Sequence, residues 1–343
     1  MKAAVWHAQR DMRLEDIPEP EVGPEDVKIK VVYAGICHTD VFEYLYGPQT
    51  VFNPPLALGH EFSGVVEEVG EAVTGLKKGD PVTGLPYYPC WECTYCQQDL
   101  WNLCPSAQAH GMHIHGAFAE YVPLHYRGVY KLPEGVSLEE AATIEPTSVV
   151  YRAVKRSGLK KGESVHIVGA GPVGLLLANV AKYKGAGKIV VSEPLDSRRE
   201  KALEMGATHV LNPEVEDPIT RTHEICDGVG AHVSFDCVGT AATLDTAVYS
   251  TRRNGRIGIL GFGFYESPTY PLMLLAAFAS EYTYFATLGY NVEMKEVVDL
   301  VGKGKLHPGD VISSIIPFDQ IIDFFDHFEE NRRKYLKILL KIG

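Results

Sequence analysis

Four cysteines fall inside fifteen residues, Cys90-x₂-Cys93-x₂-Cys96-x₇-Cys104, in a chain of 343 residues with seven cysteines in all. Three cysteines two residues apart can wrap one tetrahedral ion, and a fourth after a short loop closes the shell. Four thiolates leave no open coordination position, so a zinc site of this kind is structural. An iron–sulfur cluster also takes four cysteines, and spacing alone leaves it open. A second group of metal-binding side-chain types is dispersed: Cys37 in Gly35-Ile-Cys37-His-Thr39-Asp40, His60 and Glu61 in Gly59-His60-Glu61, and Glu145 in Glu145-Pro-Thr-Ser. Singly, each is ambiguous, because a lone cysteine is most often a small core residue.

A third constellation is contiguous. Ser164-Val-His-Ile-Val-Gly169-Ala-Gly171-Pro172-Val173-Gly174 is G-x-G-x-x-G, placed directly after an apolar run and at the start of a helical pattern. The first glycine permits a tight turn, the second lets backbone approach a pyrophosphate, and the third lets helix and strand pack closely. The opening turn of the helix offers free N–H groups to phosphate. Glu193 ends the next apolar run, where an acid binds the adenine-ribose hydroxyls and repels a 2′-phosphate. The loop with Pro172 and Val173, together with Glu193, therefore predicts NAD rather than NADP, and Arg198 is a candidate neighbour of the adenine.

These residues need two kinds of support. In Asp26-Val-Lys-Ile-Lys-Val-Val, apolar and charged residues alternate with the period of a half-buried strand. Up to about residue 148, Gly and Pro punctuation breaks the chain into short strands. Beyond that point strand-like runs alternate with helical ones: strands near 164–168, 188–192, 233–236 and 255–260, helices over 173–184 and 196–205. That alternation predicts a parallel, doubly wound sheet, an α/β architecture. The tail ends in a helical stretch, 321–330, and a strand-like one, 336–340.

Composition sets the outer limits. Hydrophobic residues make up 45% and charged residues 22%, and 32 basic against 44 acidic side chains give a net charge of −12. That balance argues against nucleic acid or an anionic membrane as the principal partner. The longest apolar run, 271–279, is about half a membrane span. With no apolar segment of signal-peptide type near the N-terminus, a cytoplasmic location is expected, and cysteine clusters there favour metal or catalysis over disulfides.

Cys37-x-Thr39-Asp40, Gly59-His60-Glu61, the four-cysteine lobe and Gly169-x-Gly171-x-x-Gly174 occur in the order seen in the zinc-dependent medium-chain dehydrogenase/reductase family, and the resemblance covers essentially the whole chain. It implies a GroES-like, mostly-β catalytic domain from 1–148 and 289–343, with the structural zinc lobe near 87–106, and a Rossmann NAD-binding domain from 149–288. It implies two zinc ions per chain, one structural on Cys90, Cys93, Cys96 and Cys104, and one catalytic on Cys37, His60 and the glutamates Glu61 and Glu145. Which glutamate binds directly is left open. Simple alcohol dehydrogenases of the family carry a cysteine where this chain has Glu145; the glutamate resembles the sorbitol and 2,3-butanediol dehydrogenase branch. The expected reaction is hydride transfer from a secondary alcohol of a polyol or vicinal diol to NAD. An L-threonine 3-dehydrogenase or sugar-acid dehydrogenase on the same site is the alternative. Thr39 is expected to hydrogen-bond the substrate oxygen and Asp40 to orient His60. Phe42 stands where many members carry the histidine that ends the proton relay. Relatives are homotetramers or homodimers. His113 and His115 in His110-Gly-Met-His113-Ile-His115 are read as loop or rim residues rather than ligands. Glu43, Tyr44, Tyr46, Phe118 and the segment after Gly261 are expected at the substrate pocket.

Overall fold

In the computed structural model, residues 1–261 and 274–343 are described. The segment just after Gly261 and the first three residues of the apolar run 271–279 lie outside them; the rest of that run is in helix Leu274–Ser280. The chain divides into two compact units, Met1–Glu145 with Asn291–Gly343, and Pro146–Tyr290.

The first unit is built on strand Asp26–Ile36, in which Val27, Ile29 and Val31 are fully buried while Lys28 and Lys30 are not. The period of two turns Val27, Ile29 and Val31 to one face. This strand is the centre of a seven-stranded sheet. Glu61–Val69 pairs antiparallel on one side and Lys337–Lys341 on the other, followed by Ile312–Pro317. The tail thus returns across about 300 residues of sequence to lie beside the first long strand. The apolar face of the sheet packs with Trp6, Tyr44, Phe62, Phe118 and Phe325 into one core. The helical stretch expected over 321–330 is two short helices, Ile321–Asp326 and Phe328–Asn331.

The second unit carries a six-stranded sheet in the order His209–Leu211, Ile189–Ser192, Val165–Val168, Ala231–Asp236, Thr251–Ile259, Thr283–Ala286. Every neighbouring pair is parallel. Val165–Val168 and Ile189–Ser192 are buried throughout, as strands covered on both faces must be. In chain order the sheet reads 3-2-1-4-5-6, so the strand order reverses beside Val165–Val168. Ligands of doubly wound sheets bind at the carboxyl ends of the strands at such a reversal. Helices Pro172–Tyr183 and Asp196–Met205 follow the first two strands. Pro172 occupies the first turn of its helix, where a missing N–H costs nothing.

Candidate active site

Strand Asp26–Ile36 delivers Cys37 to the N-cap of helix His38–Tyr46. Asp40, three residues on and 3% exposed, reaches back: Oδ2 accepts the Cys37 N–H at 2.9 Å and Oδ1 accepts the Gly59 N–H at 3.2 Å. One carboxylate thereby ties the start of the helix to the turn before His60. Its Oδ1 also lies 3.6 Å from His60 Nδ1, which has no hydrogen-bond partner of its own. Asp40 therefore approaches the ring from the side expected of an orienting residue. The Thr39 hydroxyl is likewise buried without a partner.

A sulfur of Cys37, a ring nitrogen of His60 and a carboxylate oxygen of Glu61 all lie within 4.8 Å of one another. Glu145 is buried, but it belongs to neither of the two metal-type clusters found among the described residues. The electrostatics suit a cation. Burial disfavours a charged His60, yet Asp40 and Cys37 outweigh it and hold the ring's pKa well above the usual histidine value. A soft sulfur, an imidazole and a carboxylate also form a donor set that zinc accepts.

Sequence reasoning missed Lys337. Its ammonium is fully buried and donates to Glu61 Oε1 at 2.8 Å, Glu61 Oε2 at 2.7 Å and the Ile36 carbonyl at 3.0 Å. Burial disfavours the charge, while Glu61, Cys37 and Glu145 favour it, and the net effect raises its pKa. The available signal was a lysine directly before three apolar residues at the start of a strand.

The cysteine lobe is the second cluster, with Cys90, Cys93, Cys96 and Cys104 again within 4.8 Å of one another. The Cys90–Cys96 and Cys90–Cys104 sulfur separations are 3.9 and 3.6 Å. Four sulfurs at about 2.3 Å from a central zinc sit roughly 3.8 Å apart in a tetrahedron. The spacing thus fits a single ion and is far too long for a disulfide, about 2.05 Å. Backbone N–H groups of Cys93 and Cys90 point at the sulfurs of Cys90 and Cys104, at 3.3 and 3.4 Å. Hydrogen bonds from Glu92 and Cys93 bring the Cys90 thiol down to about 7, whereas burial and the neighbouring thiols push Cys96 up to about 12. Tyr95 and Leu103 are exposed, so little apolar core holds the lobe.

In the other unit the glycine loop has the expected geometry. Gly169 has φ +95°, a conformation that L side chains rarely adopt. A Cβ on Gly174 would lie 2.0 Å from the Gly169 carbonyl oxygen, whereas one on Gly171 would meet nothing within 4 Å. The loop is thus tight where helix meets strand and open where backbone would face a phosphate. Glu193 accepts the Ala170 N–H at 2.8 Å and the Leu195 N–H at 3.1 Å. It braces the loop and keeps lone pairs for a further donor. Arg199 donates to the Glu193 and Pro194 carbonyls at 2.6 and 2.7 Å. Arg198 is half-buried on the same helix.

Several expected pocket residues are core instead. Phe118 is fully buried, and the buried Tyr44 donates its hydroxyl to Asp326. Glu43 is consumed by the Gln49 and Thr50 N–H groups, at 2.8 and 2.7 Å. Tyr46 is exposed. The histidine stretch is structural: His113 and His115 accept the Ala109 and Ala57 N–H groups, both at 3.1 Å, and His110 Nδ1 sits 2.7 Å from the His115 carbonyl.

A doubly wound nucleotide-type sheet, a converging Cys/His/Glu set and a four-cysteine lobe in one chain define a class, the metal-dependent dehydrogenases. Comparison with known proteins agrees. Residues 23–134 match the alcohol dehydrogenase GroES-like domain and residues 172–303 the zinc-binding dehydrogenase domain. Sorbitol dehydrogenase of Bacillus subtilis (strain 168) is 32% identical, over 99% of this chain and 97% of its own. D-xylulose reductase A of Aspergillus niger is 36% identical, over 96% and 93%. The crystal structure of 2R,3R-butanediol dehydrogenase from Bacillus subtilis superposes with a TM-score of 0.91 at 32% identity, covering 100% and 99%. The chain belongs to the zinc-dependent medium-chain dehydrogenase family, in its polyol and butanediol dehydrogenase branch. It is an alcohol or polyol oxidoreductase. No helix among the described residues is long and apolar enough to cross a membrane.

Proposed function

We propose that this enzyme oxidises a secondary alcohol of a polyol or vicinal diol to the ketone, using NAD and a zinc ion held by Cys37, His60 and the glutamates Glu61 and Glu145. The observation that carries the reading is the convergence of Cys37, His60 and Glu61 donors within 4.8 Å beside a buried Thr39 hydroxyl without a partner. When bound, zinc supplies a Lewis acid for the substrate hydroxyl, and NAD supplies the hydride acceptor.

The chain does the rest. Cys37 and His60 anchor the ion, and Asp40, 3.6 Å from His60 Nδ1, places a negative charge on that side of the ring. The Thr39 hydroxyl accepts the proton leaving the substrate oxygen and passes it outward. Phe42 lies on the same helix and carries no proton, so water or Glu145 completes the path. Residues 169–174 cradle the pyrophosphate, Glu193 receives the adenosine ribose, and Arg198 flanks the adenine. Cys90, Cys93, Cys96 and Cys104 hold the second, structural zinc. The unit Met1–Glu145 with Asn291–Gly343 is the catalytic domain and Pro146–Tyr290 the NAD domain. The working form is a homotetramer or homodimer. The names of the relatives support the substrate class: sorbitol, butanediol and xylulose all carry adjacent oxygen functions.

Initial rates of NAD reduction by the zinc-loaded protein test the reading against 2,3-butanediol isomers, sorbitol, xylitol, L-threonine and ethanol. A diol or polyol is the preferred substrate. Preference for ethanol, or faster turnover with NADP, would overturn it.

A further inference from the structure

The tail strand Lys337–Lys341 has its first four residues buried, the lysine included. A buried ammonium is costly unless a carboxylate faces it and its protons are placed. Lys337 meets both conditions with three acceptors for three protons: the two oxygens of Glu61 and the carbonyl of Ile36. Strand register builds this contact. Asp26–Ile36 sets Gly35 opposite Glu61 on one side and Ile36 opposite Ile338 on the other. Glu61 therefore sits opposite Gly35 on one edge, and Lys337 lies one residue beyond the Ile338–Ile36 pair on the other. A Cβ on Gly35 would lie 2.3 Å from Glu61 Oε2, so the carboxylate crosses the strand where a side chain is missing. This is the same Glu61 whose oxygen gathers with Cys37 and His60.

We propose that Lys337 is the internal counter-cation of the Cys37–His60–Glu61 set, holding Glu61 across Gly35 and setting how tightly the set binds its ion. The inference rests on the metal reading above. A divalent ion and the ammonium compete for the same buried carboxylate, so the lone pairs that Glu61 gives to Lys337 are not available to the ion. Lys337 is a positioning residue, acting through Glu61. Its charge keeps zinc affinity below what the three donors alone would give.

Zinc affinity measured by chelator competition, with the cysteine-lobe ion as internal reference, tests this. Lys337→Met is expected to bind the catalytic-site ion about 10–100-fold more tightly, the scale of changes around ligand shells, and to alter the visible spectrum of the cobalt-substituted protein. Lys337→Arg, which keeps the charge, stays near wild type in both. The double variant Lys337→Met/Glu61→Gln binds like Glu61→Gln alone, because the lysine acts through the carboxylate. That pair leaves no buried unpaired charge and carries the test if Lys337→Met does not fold. Unchanged or weaker binding by Lys337→Met overturns the inference, as does a lysine effect that persists without Glu61. A wild-type protein that holds one zinc per chain, on the lobe alone, would instead overturn the metal reading itself.

Discussion

Asp40 joins the fold to the site, and its removal can be worked through. Its carboxylate accepts two backbone N–H groups, from Cys37 and Gly59, at 2.9 and 3.2 Å, in a pocket where it is 3% exposed. Hydrogen bonds to a charged acceptor contribute about 1.5–3 kcal/mol each. Asp40→Ala strands both donors and should cost about 3–6 kcal/mol, a large share of the roughly 5–15 kcal/mol that stabilises a typical protein. Asp40→Asn keeps one acceptor oxygen and should cost about half as much. Both variants also lose the negative charge 3.6 Å from His60 Nδ1. Zinc affinity at the Cys37 site should therefore fall about 10–100-fold, while the cysteine lobe keeps its ion. Urea unfolding of zinc-loaded protein gives the first quantity, and chelator competition gives the second. If Asp40→Ala unfolds within about 0.5 kcal/mol of wild type, as an ordinary surface substitution would, the two-point clamp is not what holds this turn. If stability falls but zinc affinity does not, Asp40 serves the fold alone.

Three further expectations can be checked independently. Gly171→Ala should fold with wild-type stability but bind NAD poorly, because its Cβ meets open space only until a pyrophosphate arrives. Gly174→Ala should lose both properties, since its Cβ would strike the Gly169 carbonyl at 2.0 Å; calorimetry and NAD titration separate the two. His166 is buried between Ser192 and Ser250, at 2.5 and 2.6 Å, and burial lowers its pKa to about 3. The unfolded chain then takes up a proton that the folded one refuses. Stability is complete above the unfolded pKa of about 6.5 and falls toward pH 3, by up to about 1.4 kcal/mol per pH unit from this residue. His166→Gln should flatten that acid limb in urea unfolding curves between pH 6.5 and 4, and a slope identical to wild type would rule His166 out as a cause. Cys96→Ser should remove one zinc per chain and open residues 90–104 to protease, leaving the urea midpoint of the nucleotide-binding unit unchanged.

Much of the architecture is legible in order and spacing, because it is local. Residues 169–174 make a turn in which Gly174 answers to the Gly169 carbonyl five residues back, and Glu193 closes on Ala170 one strand later. The four cysteines need only a short loop to converge on one ion. The alternation in Asp26–Ile36 and the solid apolar runs of Val165–Val168 and Ile189–Ser192 report directly which faces are covered.

Other features depend on chain segments far apart. Tyr44 looks like a pocket residue on an amphipathic helix, but its hydroxyl is taken by Asp326, 282 residues away. His113 and His115 have the alternation of a metal strand, yet a backbone N–H claims Nδ1 of each. Glu61 carries the motif of a ligand, but nothing in its neighbours reveals that Lys337, 276 residues on, takes both its oxygens. The motif types and the alternation of strands and helices follow from the sequence, because turn geometry and burial periodicity act over a few residues. The partner of each buried charge is decided by sheet register, which pairs strands regardless of their separation along the chain.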